Sequence, residues 1–454
     1  MNGNRISRRD FMGKAAGVTG GMLAARSIRL EANSTGIPAR AAAPSDTVRF
    51  GIIGVGMRGE DLLQTAIALP GVECVAACEL YDGRMELAKE IVKKPILTTK
   101  HYQDLLDNKD IDCIIAPVPD HWHKRIVIDC CNAGKDVYVE KPMTHEVAEG
   151  FEIIDAAQRQ NRIVQVGSQE PSSVVYAKAR ELMRQGVIGD VCLVESSLGR
   201  NNPCGAWEYT VPPDLSPQTL DWQTWLGAAP KRPFDKLRYT RWRCWQDYGE
   251  GIPGDLFIHS LTGIHYVMDV VAPPSRAASM GGLFRWHDGR DVPDVMTTTF
   301  EYPNFRVTLR VTLNTGDAEV YRFMGTRGIM EIHGIEDPSS FTIWPEDGKD
   351  HNPCAPAWPA QMQATYDQEW HAEHGTPPGA GSVIETSGYY APPNYDDTHE
   401  HLWNFFQSVR TRNASVEGPE FGNNAAIACH MANYSYFNKA IAVWNQEERK
   451  ITSA

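Results

Sequence analysis

The chain has 454 residues, enough for two ordinary domains, and its 42% hydrophobic and 22% charged content excludes disordered and fibrous classes. It carries 44 Lys and Arg against 57 Asp and Glu, a net charge of −13 with histidine neutral. Such a surface repels phosphate backbones and no Lys/Arg stripe overrules it, so nucleic acid is excluded as a partner.

Residues 1–43 read as an export segment. Ser7-Arg8-Arg9-Asp10-Phe11-Met12 precedes a weakly apolar Gly/Ala run from Ala15 to Ala25, and small residues follow at 39–43. Basic, apolar and small-residue zones in that order are the parts of an export signal. The paired arginines resemble a twin-arginine (Tat) signal, which implies the Tat export machinery as a partner and a periplasmic or otherwise exported location. The apolar run is shorter than the roughly 20 residues a spanning helix needs, and no later run is longer, so no stable membrane insertion is expected. Cys74, Cys78, Cys113, Cys130 and Cys131 fall inside apolar patterns with no CxxC pair. They read as small core residues, and no metal site is expected.

From Thr47 the pattern is that of a dinucleotide fold. The apolar run Val48 to Ile53 predicts a buried strand that leads into Gly54-Val55-Gly56-Met57-Arg58-Gly59 and then a helical period through Leu62, Leu63, Ala66 and Leu69. A second apolar run, Val72 to Cys78, ends at Glu79, about 20 residues beyond Gly59, where an acid accepts the adenosine ribose hydroxyls. The glycines let the backbone approach a pyrophosphate whose charge rests on the helix N-terminus. Glu79 repels a 2′-phosphate, so NAD(H) is expected over NADP(H), with Arg84 able to contact the adenine side or a phosphate. Further strands at Ile111–Val118, Asp136–Val139 and Ile163–Gly167 alternate with helices at about 125–133 and 148–160. Alternation of this kind predicts a doubly wound parallel sheet, with ligands beyond the carboxyl ends of its strands. Pro119, His121, His123, Glu140, Lys141 and Gln169 fall at such ends and complete the expected cofactor-binding set.

These residues resemble a known family. The GxGxxG loop, Pro119-Asp120-His121-Trp122-His123, Glu140-Lys141-Pro142 and Arg180-Glu181-Leu182 with Gly186-Val187-Ile188-Gly189-Asp190 look like the Gfo/Idh/MocA oxidoreductases, over about residues 47–445. The resemblance implies α/β architecture: an N-terminal Rossmann domain, then a larger α/β domain whose open, mostly antiparallel sheet often joins subunits, so a homo-oligomer is expected. It also implies NAD(P)-dependent redox chemistry on sugars or polyols, with Lys141 beside nicotinamide and substrate. The expected divisions are 1–43 for export, 47–170 for the Rossmann domain, 171–397 for substrate and oligomerisation, and 398–454 for helices packing back on the first domain.

The family commonly places an Asp and an acid/base His four residues apart on a helix, and Asp255 and His259 have that spacing. Both would share one helix face, with the carboxylate orienting the imidazole and raising its pKa. Phe257 stands where a Gly is often found, and Gly263-Ile264-His265 offers a rival histidine, although Leu261 then takes the Asp position. Lys141, Asp255 and His259 are the expected catalytic residues. Trp207, Tyr209, Arg243 and His265 join Lys141 and His259 as substrate-binding candidates, because aromatic faces suit sugar rings. Residues 351–395 show no period and read as a lid, an arm or disorder, and helices are expected at 398–410 and 423–444. The expected activity is oxidation of a sugar or glycoside secondary alcohol with a tightly held, recycled NAD(H). The alternatives are an NAD-dependent glycoside hydrolase that oxidises C3 transiently, and a non-catalytic sugar-binding protein with a vestigial Rossmann site.

Overall fold

The computed structural model describes residues 28–30, 47–335, 338–346, 357–374 and 387–454. The twin-arginine pattern and the small-residue stretch lie outside the described residues.

The first unit is a six-stranded parallel sheet. In chain order its elements are β1 (Val48–Ile53), α1 (Met57–Ala68), β2 (Val72–Cys78), α2 (Asp82–Val92), β3 (Leu97–Thr99), β4 (Cys113–Ala116), α3 (His123–Asn132), β5 (Asp136–Val139), α4 (Val147–Gln160) and β6 (Val164–Val166). The strand order is β3-β2-β1-β4-β5-β6, all parallel. The order reverses between β1 and β4, which opens a crevice beyond their carboxyl ends. Every residue of β4 and β5 is buried, because helices cover both faces. Ile53, Ile114 and Val137 pack on one face with Ile126 and Ile153, while Phe50, Ile52 and Leu62 pack on the other. That second face is closed by a late helix, α7 (Asp397–Thr411), whose Leu402, Phe405 and Phe406 are fully buried against it. Each such side chain contributes about 1.5–3 kcal/mol of burial, so α7 belongs to the first sheet's core.

The second unit is an eleven-stranded mixed sheet. It contains β7 (Val191–Gly199), β8 (Arg276–Gly282), β9 (Val295–Glu301), β10 (Arg306–Thr312), β11 (Asp317–Gly325), β12 (Gly328–His333), β13 (Ser340–Pro345), β14 (Ser387–Tyr390), β15 (Ala442–Asn445) and β16 (Lys450–Ser453), plus a short strand at Ile28–Leu30. Most neighbours are antiparallel; β10 on β7 and Ile28–Leu30 on β14 are parallel. Met296, Thr298 and Phe300 of β9 and Val307, Leu309 and Val311 of β10 point inward, while Thr299 and Arg310 between them are exposed. This alternation gives the sheet one core face and one open face. The core face is covered by α5 (Val174–Arg184), α6 (Ile258–Val267) and α8 (Pro419–Asn438). The two-part α/β architecture expected from the sequence is therefore present.

Two local expectations are corrected. The stretch read as irregular at 351–395 contains a helix, Ala360–His374, and the strand β14. The helix buries none of its residues, so it has no apolar face to create a period. The last helix begins at Pro419 and ends at Asn438, after which Lys439 takes a left-handed φ of 53° and the chain turns into β15.

Candidate active site

A cleft of about 430 Å3 runs from the β1/β4 crevice to the N-terminal end of α6. At one end Gly54, Gly56, Met57 and Arg58 line it. Gly54 has φ +95° and a Cβ there would lie 2.9 Å from the Pro117 carbonyl oxygen; a Cβ on Gly59 would lie 2.4 Å from the Gly54 carbonyl oxygen. The first glycine thus permits the turn and the third seats α1 on the loop, beneath the cleft rather than in its wall. α1 starts with no side-chain cap on Gly56, so its first-turn N–H groups are left for a ligand. Glu79 closes this end: its carboxylate accepts from the backbone N–H of Val55 (2.8 Å), Leu80 (2.8 Å) and Tyr81 (3.1 Å). Three bonds leave one of its roughly four lone-pair sites for a ribose hydroxyl. Arg84 also lines the cleft and donates to the Tyr239 hydroxyl at 2.9 Å.

At the other end, Glu140 and Lys141 follow β5. Arg58 Nε donates to Glu140 Oε1 at 2.8 Å, and this pairing raises the Arg58 pKa although burial works against the charge. Lys141 Nζ donates to the carbonyl oxygen of Asp255 at 2.6 Å and to its Oδ1 at 3.1 Å. Two of three ammonium donors are thereby used, leaving one for the cleft. Asp255 also accepts from Arg243 Nε at 2.8 Å and Trp207 Nε1 at 2.8 Å. Burial favours its neutral form, but Lys141, Arg243 and Arg200 outweigh it and hold its carboxyl well below the usual range.

The expected Asp255–His259 pairing is corrected. Pro253–Phe257 is a wide turn in which the Ile258 N–H reaches back five residues to the Pro253 carbonyl, before α6 continues as an ordinary helix. Asp255 turns to Lys141, while His259 Nδ1 meets Glu170 Oε1 at 2.7 Å. The His259 pKa is not raised: burial first, then the charge on Lys141, push it well below 6.5, with Asp255 opposing. His259 lines the cleft, and with Nδ1 engaged, Nε2 is the nitrogen left to act there.

Other expected residues separate. Pro119, Gln169, Tyr209 and Arg243 line the cleft together with Lys141. His121 and His123 do not. His123 is wholly buried, held at 2.6 Å by the Pro142 carbonyl and 2.9 Å by the Val118 carbonyl, and His121 lies 3.0 Å from the Trp225 carbonyl. Both are pushed down to about 4, by burial first, and act as neutral clamps between loops rather than as cofactor ligands. His265 is likewise buried, 2.6 Å from the Tyr302 hydroxyl, and outside the cleft wall. Trp207 is fully buried beneath Asp255, so it supports the site and offers no stacking face. Sequence reasoning missed Tyr239 in the wall, where Trp242 also stands, and Glu170 behind His259. The tryptophan-rich run before Asp255 signalled that wall; for Glu170, only its place just after β6 did. Among the described residues no cluster of His, Cys, Asp or Glu has metal-binding geometry, and nine cysteines are free thiols.

Residues 48–168 match the oxidoreductase family, NAD-binding Rossmann fold (GFO_IDH_MocA), and residues 201–273 match that family's C-terminal alpha/beta domain (GFO_IDH_MocA_C2). The chain belongs to the Gfo/Idh/MocA family. Its Rossmann domain is NAD-binding, and the cradle fits that group: two glycines whose Cβ positions are filled by backbone, an uncapped helix start, and an acid at the end of β2. An alpha-N-acetylgalactosaminidase of Shewanella oneidensis is 33% identical to this Gfo/Idh/MocA protein over 210 residues, 41% of this chain and 45% of that one. A glycosyl hydrolase family 109 protein 1 of Shewanella sp. strain ANA-3 is 32% identical over the same shares. The matched region spans 45% of the length of these curated relatives. A levoglucosan dehydrogenase in complex with NADH and levoglucosan superposes with a TM-score of 0.60 at 16% identity, covering 90% of this chain and 99% of that one. The aldose-aldose oxidoreductase of Caulobacter crescentus also gives 0.60 at 16%, covering 90% and 100%. At such identities these structures show the common fold alone.

Proposed function

We propose that this protein is an exported enzyme that oxidises a secondary alcohol of a sugar or glycoside, using an NAD(H) that stays bound and is returned to NAD+ in place by reducing a second substrate or a later form of the same substrate. The observation that carries the reading is the meeting of Lys141 and His259 in one cleft wall, at the end of a dinucleotide cradle. NAD, when bound, supplies the hydride acceptor. Everything else falls to the chain. Lys141 donates its remaining N–H to the substrate hydroxyl oxygen and stabilises the alkoxide that develops there. His259, kept neutral by burial and Lys141, takes the hydroxyl proton on Nε2. Tyr209 and Trp242 supply aromatic wall beside them. Export rests on the twin-arginine pattern, and subunit pairing through the open face of the eleven-stranded sheet rests on the family resemblance.

A second reading is supported by the two Shewanella relatives named as glycosidases. The same oxidation at C3 acidifies the neighbouring C–H, the aglycone leaves by elimination, water adds, and the ketone is reduced again, so the cofactor ends where it began. Mass spectrometry of the holoprotein with a glycoside panel, without added cofactor, separates the two. A keto-sugar supports net oxidation; free sugar plus aglycone supports hydrolysis. In either case Lys141→Ala is expected to lower turnover about 100-fold or more. Unchanged turnover in that variant overturns the proposed chemistry.

A further inference from the structure

Glu170 carries a role that neither the family motifs nor the expected Asp255 partnership assigns. It opens a short turn, Glu170–Ser172, just after β6, and its side chain is fully buried. Two groups, one of them itself braced, fix that turn. The Ser172 hydroxyl meets His401 Nδ1 at 2.7 Å, His401 Nε2 meets the Val166 carbonyl at 2.7 Å, and the Tyr395 hydroxyl donates to the Ser172 carbonyl at 2.7 Å. A carboxylate taken this far from water is costly unless a partner repays it. His259 Nδ1, at 2.7 Å, is such a partner.

We propose that Glu170 is the positioning residue of the acid–base histidine: it holds His259 in the Nδ1-protonated tautomer, with Nε2 as the base, and balances the imidazolium that forms on proton transfer. The inference rests on the proposed function for its chemistry and on the geometry for the pair itself. Asp255 cannot do this work, because its oxygens serve Lys141, Arg243 and Trp207. The other charges felt by His259 are Lys141 after β5, Arg58 on α1 and Arg200 after β7, all opposing a positive imidazole, with Asp255 favouring it. A second buried carboxyl, Glu417, is pushed up by burial and then by Glu170 itself. A negative charge on Glu170 favours the neutral form of Glu417, so the two buried carboxyls need not both be charged. The step balances simply. The substrate hydroxyl proton moves to Nε2, Nδ1 keeps its own proton, Glu170 gains none, and the reverse transfer restores the start.

The test compares the NAD-loaded wild type with Glu170→Gln and Glu170→Asp. 15N NMR of ring-labelled histidine is expected to show one tautomer for His259 in the wild type, protonated on Nδ1, and a mixture in Glu170→Gln. Where the sugar is turned over, kcat in Glu170→Gln falls about tenfold or more, with KM and bound NAD essentially unchanged. The acid limb of its kcat profile moves to lower pH, because an anion that favoured the imidazolium has gone. Glu170→Asp recovers part of the loss. An Nε2-protonated His259 in the wild type, or a Glu170→Gln variant whose pH profile superposes on the wild type, overturns the proposal. A wild type inert to every sugar but showing the Nδ1 tautomer sinks the enzymatic reading and leaves the pair standing.

Discussion

Buried histidines give this protein a built-in sensitivity to acid. His121, His123, His401 and His430 are held down to about 4 and His265 to about 3, with burial the first cause each time. In the unfolded chain each returns to about 6.5. Above that pH neither state binds the proton, and no stability is at stake. As pH falls from about 6.5 toward the folded values, only the unfolded chain takes up protons, and each histidine costs up to about 1.4 kcal/mol per pH unit. The melting temperature is therefore expected to drop steeply between pH 6.5 and 4.5, and His265→Gln, which touches no part of the cleft, should flatten that slope. Equal melting temperatures at pH 7 and 4.5 count against it. Lys141 and His259 were legible in the sequence because a local motif fixes each. Glu170 was not, because the bond to His259 spans 89 positions and depends on the wide turn at Pro253–Phe257 that swings Asp255 elsewhere. An i, i+4 spacing assumes α-helical geometry, and nothing in Asp255-Leu256-Phe257-Ile258-His259 announces a wider one.

Elements of the first sheet were easier to foresee than those of the second. Buried parallel strands read as continuous apolar runs, and the loop after β1 states its purpose in three glycines. The third makes the sharpest prediction. A methyl on Gly59 would stand 2.4 Å from the Gly54 carbonyl oxygen, which is backbone and cannot yield like a flexible side chain. Gly59→Ala must push α1 away from the loop, at about 1–3 kcal/mol. Bound NAD per chain is expected to fall sharply, because the helix start no longer meets the pyrophosphate. Gly134→Ala is the comparison: it strains a glycine at φ +77°, but its Cβ meets nothing within 4 Å, so its strain is local and NAD content should hold. Equal NAD in wild type and Gly59→Ala refutes the argument. The helix at Ala360–His374 stayed hidden for the opposite reason, since an element that buries nothing leaves no pattern to find.

The whole molecule suggests why the cofactor should stay. A long segment of the second unit supplies part of the cleft wall and is tied to the first unit beside it. Tyr81 bridges Leu220, Asp82 N–H donates to the Thr219 carbonyl at 2.9 Å, and Asp221 N–H donates to the Leu80 carbonyl at 3.0 Å. Tyr81 also donates its hydroxyl to Asp214, and Trp122 Nε1 donates to the Trp225 carbonyl at 2.9 Å. Trp225 and Tyr239 from this segment line the cleft, and Arg84 joins it through the Tyr239 hydroxyl. None of this was readable from local pattern, since short helices and turns between distant partners have no period. A ligand seated against such a segment leaves only when several backbone bonds open together, which slows release more than it slows entry, and affinity is set mostly by release. The proposed export would require that property, because outside the cytoplasm no nicotinamide pool refills an emptied site. NAD(H) is expected to co-purify at about one per chain through extensive dialysis, measured in the supernatant after denaturation. Tyr239→Phe removes one tie without touching the glycine loop, and should speed NAD loss severalfold while leaving the fold intact. Sub-stoichiometric NAD in the wild type, with activity that depends on added cofactor, would mean that the segment opens freely and that the prosthetic role is wrong.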